Sequence, residues 1–217
     1  VINGNLTSAK LLNPKLPYDP IRDLLPVSLL ATAPLLMVSP ADLPTGAAWV
    51  AAARQANDKY SYGSVGIGSS AHLATVLFND TAGIKMQHVP YSQMSQAYSD
   101  IFSGRTEIWF TTAGGSLPHL RSGKVRGLAV NGPGRSKLVP ELPTMKESGV
   151  DMTDESSWYG FFAPKGLDAK ITRELNSAVR KVLEIPAVRQ KLSDLGNTPR
   201  SETAEQFRET VKRDRVK

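Results

Sequence analysis

Apolar and polar positions follow one another along the chain in blocks that predict strands and helices in turn. Short apolar runs of strand length are separated by segments whose apolar residues recur at i, i+3 and i+4, the spacing of an amphipathic helix. Such an alternation predicts right-handed βαβ units and a mostly parallel sheet. The predicted strands lie at residues 34–38, 59–62, 84–89, 106–112, 125–130 and 158–164.

The pattern changes toward both ends of the chain. Residues 13–30 contain four prolines, and because each proline removes an N–H group and disfavours helix before it, we predict a connector there. The segment after residue 170 is predicted to be helical. Its apolar stripe (Ile171, Leu175, Ala178, Val179 and Val182) is expected to be buried, and the spacing of Thr203 and Gln206 predicts a capping box at the start of the last helix.

These blocks predict two lobes. A compact α/β domain at residues 40–150, the second lobe, is bracketed by strand-like connectors at 34–38 and 158–163. Residues 1–39 are then expected to hold a remnant of the first lobe and the first hinge strand. Residues 151–217 are expected to hold the return hinge strand and the C-terminal helices of the first lobe. A cleft between hinged lobes is a common place for a ligand.

The most informative stretch is the glycine-rich segment from Tyr62 to Ala74. Gly63, Gly66 and Gly68 lead into Ser69 and Ser70, either of which can cap the following helix. A tight turn at a helix start exposes N–H groups without intrahelical partners, and these groups with the helix dipole can hold an anion. An ordinary capped turn explains the same residues equally well. The order G-x-x-G-x-G differs from the dinucleotide fingerprint, and no Walker lysine follows, so nucleotide binding is disfavoured.

Composition narrows the function classes. The chain of 217 residues has a net charge of +6, but its basic residues are scattered among acidic ones, so we expect no nucleic-acid binding. There is no cysteine and no apolar run long enough to span a membrane. His88 and His119 lack a metal-ligand spacing, so we expect no metal and no cofactor. Since no acid–base pair with an orienting third group is recognisable, we also expect no catalytic residues.

Motifs in several parts of the chain resemble those of one family. They are Tyr18-Asp19-Pro20 with Pro26-Val27, the segment 62–74, His88-Val89-Pro90-Tyr91, residues 122–130, Leu142-Pro143-Thr144 with Glu147 and Gly149, and Trp158 to Pro164. In these motifs the chain resembles the Bug/TctC group, the extracytoplasmic solute-binding receptors of tripartite tricarboxylate transporters. The match extends over about residues 1–210 and keeps the order of the family's motifs.

The resemblance implies a periplasmic-binding-protein type II fold, a Venus flytrap of two α/β lobes with parallel-type sheets, whose first lobe is incomplete in this chain. It also implies a non-catalytic, monomeric receptor in the periplasm. Such a receptor captures a small organic carboxylate between its lobes and delivers it to the membrane subunits of a tripartite transporter. The family carries further residues in front of the matched part, including an export signal, so we expect residues upstream.

Candidate ligand-binding residues follow from the same likeness and from strand ends. From the second lobe they are Ser64, Gly66, Ile67, Gly68, Ser69, Ser70, His72, Tyr91, Thr111 and Thr112; from the first lobe, Asn3, Asn5 and Thr7. A packing role for His72 is an equal alternative, and Trp109 and Trp158 are expected in the core. The family usually has Lys-Gly after Val-Pro-Tyr, whereas Ser92-Gln93 stands here. The alternatives are the effector-sensing domain of a bacterial transcription regulator and, less favoured, an enzyme acting on carboxylates.

Overall fold

The computed structural model describes residues 2–40, 42–56, 58–152 and 157–215, the last residue without its side chain. The strands are β1 (Ile2–Asn3), β2 (Leu24–Ala33), β3 (Leu35–Ser39), β4 (Ser61–Ser64), β5 (Gln87–Pro90), β6 (Ile108–Thr112), β7 (Arg126–Asn131), β8 (Ser157–Pro164) and β9 (Thr198–Pro199). The helices are α1 (Ala9–Leu12), α2 (Gly46–Gln55), α3 (Ser70–Ala82), α4 (Met94–Phe102), α5 (Ala113–Arg121), α6 (Ala169–Glu184), α7 (Pro186–Asp194) and α8 (Ala204–Arg215). None of these helices combines the length and apolar character needed to cross a bilayer.

The chain divides into two compact units, which we describe separately. Unit 1 comprises Val1–Ala33 and Ser157–Lys217, and unit 2 comprises Pro34–Ser156. The predicted lobe ranges stay a prediction.

Unit 1 contains a sheet of order β1-β8-β2-β9 whose pairings are antiparallel. The expectation of a parallel-type sheet is therefore wrong for this unit. The reason is the path of the chain. Strand β2 runs toward unit 2 and β8 returns from it, with Ala33 opposite Ser157, so the two neighbours must run in opposite directions.

The second half of the predicted connector at residues 13–30 is part of a strand. Strand β2 has ten residues and includes Pro26. Proline is tolerated because the register with β8 shifts between Pro26 and Ser28, and because β9 pairs with β2 only at Ala31 and Thr32. The missing N–H of Pro26 therefore removes no bond to β9.

Unit 2 contains a mixed sheet of order β5-β4-β6-β3-β7. Strand β4 is parallel to β5 and β6, and β3 is antiparallel to its neighbours β6 and β7. Four of the five strands thus point the same way, as the βαβ rhythm predicts. Strand β3, expected as the first hinge strand, is an inner strand of this sheet, and its role as a hinge stays a prediction.

Each unit has its own apolar core. In unit 2 the largest buried side chains include Trp49, Phe78, Trp109 and Phe110. In unit 1 a smaller cluster forms around Trp158, Phe207, Leu29 and Val211. Trp109 and Trp158 are both core residues, as expected. The buried position of Trp158 is fixed further by a hydrogen bond of 2.8 Å from its Nε1 to Asp214.

The predicted stripe of α6 is wrong at three of its five positions. Ile171, Ala178 and Val182 are exposed, whereas Thr172, Asn176 and Leu183 are buried. The Asn176 side-chain amide donates to the carbonyl oxygens of Val27 and Glu202 at 2.8 and 3.0 Å, and these bonds compensate its burial.

Candidate ligand-binding site

The four co-directional strands of unit 2 present their carboxyl ends at one edge of the sheet, where open α/β sheets bind ligands. Ser64, Pro90, Thr112 and Asn131 are the last residues of β4, β5, β6 and β7. Most of the candidate residues predicted for this unit follow directly after these strands. The structure therefore brings Ser64, the residues up to His72, and Thr111 and Thr112 to neighbouring strand ends.

The glycine loop, residues 64–70, turns sharply between β4 and α3. Gly66 has a φ of 116° and Gly68 a φ of 80°, values that side-chain-bearing residues rarely adopt. The Gly66 N–H donates to Ser64 Oγ at 3.1 Å, and the Ser69 N–H donates to the Gly66 carbonyl at 3.2 Å. The Gly68 N–H makes a longer bond of 3.4 Å to His72 Nδ1. The glycine N–H groups therefore stabilise the loop itself and are not open donors, contrary to the simplest form of the prediction.

The open donors lie at the helix start. Ser69 is the N-cap of α3 and accepts from the His72 N–H at 3.3 Å, so it is the capping serine of the two candidates. The N–H groups of Ile67 and Ala71 have no hydrogen-bond partner in the part of the chain that the structure describes. With the positive end of the helix dipole, these two donors favour an anion at this place.

Below the loop, two histidines pack against a tyrosine and a serine. The His88 ring stacks on Tyr62 at a centroid distance of 4.8 Å and lies 4.6 Å from the His72 ring. Its Nε2 is 2.7 Å from Ser64 Oγ, and the Ser64 side chain is fully buried. The same hydroxyl is 3.1 Å from the Gly66 carbonyl. The histidine pair is thus connected to both glycines of the loop.

The surroundings of this pair favour uncharged rings. Burial lowers the pKa of His72 below its usual value, and for His88 burial and then the neighbouring His72 act in the same direction. Burial also raises the pKa of the Tyr62 phenol. Since Gly68 donates to His72 Nδ1, neutral His72 carries its proton on Nε2.

Thr111 and Thr112 lie at the start of a second helix. Thr112 is the N-cap residue of α5, which follows β6 without a loop, and β6 is the neighbour of β4. A Cβ added to Gly115 would lie 3.4 Å from both threonine hydroxyls, so these hydroxyls line the first turn of α5. Two helices therefore begin at adjacent strand ends. The second helix start was not predicted to be part of the site, although Gly114-Gly115 directly after a predicted strand indicates it.

Tyr91 differs from the other candidates because its side chain points into the core. It is 9% exposed, and its hydroxyl donates to Asp100 Oδ2 at 3.0 Å. Its ring also lies against Gly63, where an added Cβ would be 3.2 Å away. These contacts favour a packing role, and contact of Tyr91 with ligand stays a prediction.

Asn3, Asn5 and Thr7 belong to unit 1. Asn3 ends β1 and is exposed, and Asn5 lies in a 3₁₀ turn over Gly4–Leu6. The Thr7 hydroxyl donates to the Gly4 carbonyl at 2.9 Å, so it holds this turn closed. The predicted turn is confirmed, and a role of these residues in binding stays a prediction.

The charged residues of this edge are unevenly distributed: Arg135, Lys146, Glu147 and Asp151 lie near the end of β7. Residues 61–73, 87–99 and 108–118 include no lysine, arginine, aspartate or glutamate. A polar residue missed by the sequence reading is Asn131, whose side-chain Nδ2 is buried without a partner in the described part of the chain. It lines a cavity of about 440 Å³ at the end of β7. An asparagine directly after the predicted apolar strand at 125–130 was the signal for it.

Comparison of the sequence with models of known protein families distinguishes between a transport receptor and the sensing domain of a transcription regulator. The model of the tripartite tricarboxylate transporter family receptor, TctC, matches residues 2–217. The chain belongs to this family. The members of this family are non-catalytic receptors. The description of the family as a transporter receptor favours a transport receptor over a transcription regulator.

Relatives of known sequence agree with this assignment. The UPF0065 protein of the tcbD–tcbE intergenic region of Pseudomonas sp. strain P51 is 35% identical over 186 residues, which are 84% of this chain and 55% of that protein. BugT of Bordetella pertussis is 33% identical over 199 residues, 91% of this chain and 61% of that protein. The TctC-family chain thus spans less than two thirds of the length of either relative.

Solved structures support the fold. MatC from Rhodopseudomonas palustris with bound malate has a TM-score of 0.85 at 27% identity, covering 99% of this chain and 75% of that one. An R. palustris protein with adipate has a TM-score of 0.84 at 30% identity, covering 92% and 67%. The fold is therefore of the periplasmic-binding-protein, Venus-flytrap type.

Proposed function

We propose that this protein is a solute-binding receptor that holds a carboxylate group of a small organic acid at the glycine loop and the first turns of α3 and α5. The observation that carries the proposal is the open pair of N–H donors at Ile67 and Ala71, in segments of the sheet edge that contain no charged residue (61–73, 87–99 and 108–118). The malate and adipate in the two R. palustris proteins support an organic acid as the solute. We further propose a periplasmic location and delivery of the solute to membrane subunits of a tripartite transporter.

The strength of this site can be estimated. A helix N-terminus contributes about 2 kcal/mol at most to binding an anion, so two of them contribute about 4 kcal/mol. That corresponds to a dissociation constant of about 1 mM, whereas micromolar binding needs about 8 kcal/mol. We therefore expect millimolar binding from this edge alone, and micromolar binding would require contacts beyond it.

A proline substitution tests the donor directly. Ala71 is the second residue of α3, where proline is tolerated, so Ala71→Pro removes the N–H without breaking an intramolecular bond. A hydrogen bond to a charged group is worth about 1.5–3 kcal/mol, so we expect roughly 10- to 100-fold weaker binding of adipate or malate. Ala47→Pro at the equivalent position of α2 is the matched control.

The readout is titration calorimetry with adipate, malate and benzoate, and with adipamide as the uncharged counterpart of adipate. At least one acid is expected to bind, adipamide to bind far more weakly, and Ala47→Pro to bind as the unmodified chain does. Equal binding of adipate and adipamide, or unchanged affinity in a folded Ala71→Pro variant, would overturn the proposal.

A further inference from the structure

The glycine loop and the first turns of α3 and α5 would hold a negative charge, and they contain no lysine or arginine to neutralise it. A carboxylate that leaves water loses hydration, and helix dipoles offset only part of that loss. Neither lysine nor arginine occurs in the segments that contain the ends of β4, β5 and β6, 61–73, 87–99 and 108–118. Near the end of β7, Arg135 and Lys146 are paired with Glu147 and Asp151. The groups in the three segments that can become positive are histidines, and His72 and His88 lie side by side beneath the glycine loop.

The two histidines differ in their ability to accept a proton. His72 Nδ1 accepts the Gly68 N–H, so a proton on that nitrogen would place two donors against each other and break the bond to the loop. His88 Nε2 faces the hydroxyl of Ser64, which can either donate or accept. When His88 Nε2 carries no proton, the Ser64 hydroxyl donates a hydrogen bond to this nitrogen.

A proton on His88 Nε2 reverses this bond without loss. The imidazolium donates to Ser64 Oγ, and the hydroxyl turns to the Gly66 carbonyl, 3.1 Å away. The hydroxyl continues to accept from the Gly66 N–H in both states. The buried serine is therefore satisfied with either protonation state of His88, and the loop geometry is kept.

We propose that His88 takes up a proton from solvent when a carboxylate binds at the glycine loop, so that binding by this receptor is linked to proton uptake. The inference rests on the proposed function. The imidazolium supplies the countercharge that the segments around the glycine loop lack, while His72 stays neutral and holds Gly68. The bound anion favours the charged ring by Coulomb attraction, and loss of the anion releases the proton to solvent.

The titratable groups around His88 permit this change. On β4 it faces the Tyr62 phenol, and on α3 it faces His72. The acidic residue of α3, Asp80, is eight positions beyond His72, about 12 Å along the helix axis. On α4, Asp100 is bonded to Tyr91 and Arg105. Without ligand, burial and His72 both oppose a charge on His88, so its protonation responds to the arriving anion.

The test follows the ring signals of all three histidines by NMR between pH 5 and 8.5, without ligand and with saturating adipate, malate or benzoate. The expected result is a rise of the His88 pKa by about one unit on binding, with His72 changing far less. By linkage, the acid then binds about tenfold more tightly at low than at high pH within this range. Adipamide is expected to leave the pKa of His88 unchanged.

Variants separate proton linkage from a structural role. His88→Gln keeps an N–H donor for Ser64 but does not titrate, so its affinity should no longer change with pH over this range. His119→Gln is the matched control, because His119 packs against Tyr98 and Phe102 on another helix face and should leave the profile intact. The same pH profile in a folded His88→Gln variant would overturn the inference.

The outcomes also distinguish this inference from the proposed function. If an acid shifts the Ile67 and Ala71 amide signals but leaves the His88 pKa unchanged, the carboxylate site stands and proton linkage is wrong. If no acid of the panel shifts those amides, the proposed function fails and the inference fails with it.

Discussion

Single residues in this protein often matter through the space or hydrogen bond that they occupy. Gly160 of β8 has no room for a Cβ, because the Phe207 ring already lies against its Cα in the core of unit 1. Ser64 has no exposure and shares its hydroxyl among three partners in the glycine loop and β5. Neither the close contact of Gly160 nor the hydrogen bonds of Ser64 can be predicted from the hydropathy of the sequence.

Gly160→Ala is expected to destabilise the chain. The added Cβ would overlap Phe207, a rigid and fully buried ring, and overpacking of this kind costs about 1–3 kcal/mol. Gly134→Ala is the control, since a Cβ there meets nothing within 4 Å and the backbone is not left-handed. Urea denaturation measures both free energies of unfolding, and equal values for the two variants would contradict the packing described here.

The histidine pair also predicts a pH dependence of stability without ligand. Both pKa values are lowered in the folded state, so below the usual histidine value of 6.5 the unfolded chain binds more protons than the folded one. These two histidines therefore leave the free energy of unfolding unchanged above about pH 7. They decrease it as the pH drops through 6.5 toward their lowered pKa values in the folded state. Denaturation of the unmodified chain and of a His72→Gln, His88→Gln double variant at pH 7.5 and 5.5 checks this. A larger pH effect in the variant would contradict it.

At the scale of elements, the helix starts were more predictable than the strands. The Thr203 capping box is confirmed, with Thr203 N–H donating to Gln206 Oε1 at 2.9 Å and Gln206 N–H to Thr203 Oγ1 at 3.2 Å. Strand β2 was not predicted because proline usually disfavours a strand, whereas here a register shift and an unpaired edge accommodate Pro26. The buried face of α6 was not predicted because it includes Asn176. Hydrogen bonds to backbone carbonyls compensate the burial of this residue, and a hydrophobic pattern cannot show them.

Two threonines at helix starts give a matched comparison. Thr203 caps α8 through its side chain, whereas Thr45 is the N-cap of α2 without a side-chain hydrogen bond. Thr203→Ala is therefore expected to cost about 1 kcal/mol of stability and Thr45→Ala a few tenths at most. Chemical denaturation of both variants measures the difference, and a costlier Thr45→Ala would show that the caps are assigned wrongly.

At the scale of the whole molecule, the sequence predicted the fold class through ordered motifs and predicted the general place of the site through strand ends. It could not predict that β3 runs against its neighbours, since direction in a sheet depends on pairing between distant segments. It also could not show that Ser64, His72 and His88 meet, because β4, α3 and β5 bring them together only in three dimensions. The glycine loop was identified correctly as a turn into a helix, but its open donors are Ile67 and Ala71, not the glycines.

The most direct test of the central claim is amide NMR of this chain during titration with adipate, malate and benzoate, with adipamide as the neutral reference. Amide shifts report binding even at millimolar dissociation constants. We expect the largest acid-dependent shifts at Ile67 and Ala71 and in the first turn of α5, and we expect adipamide not to reproduce them. Acid-dependent shifts confined to other parts of the chain, with Ile67 and Ala71 unchanged at saturation, would contradict the central claim.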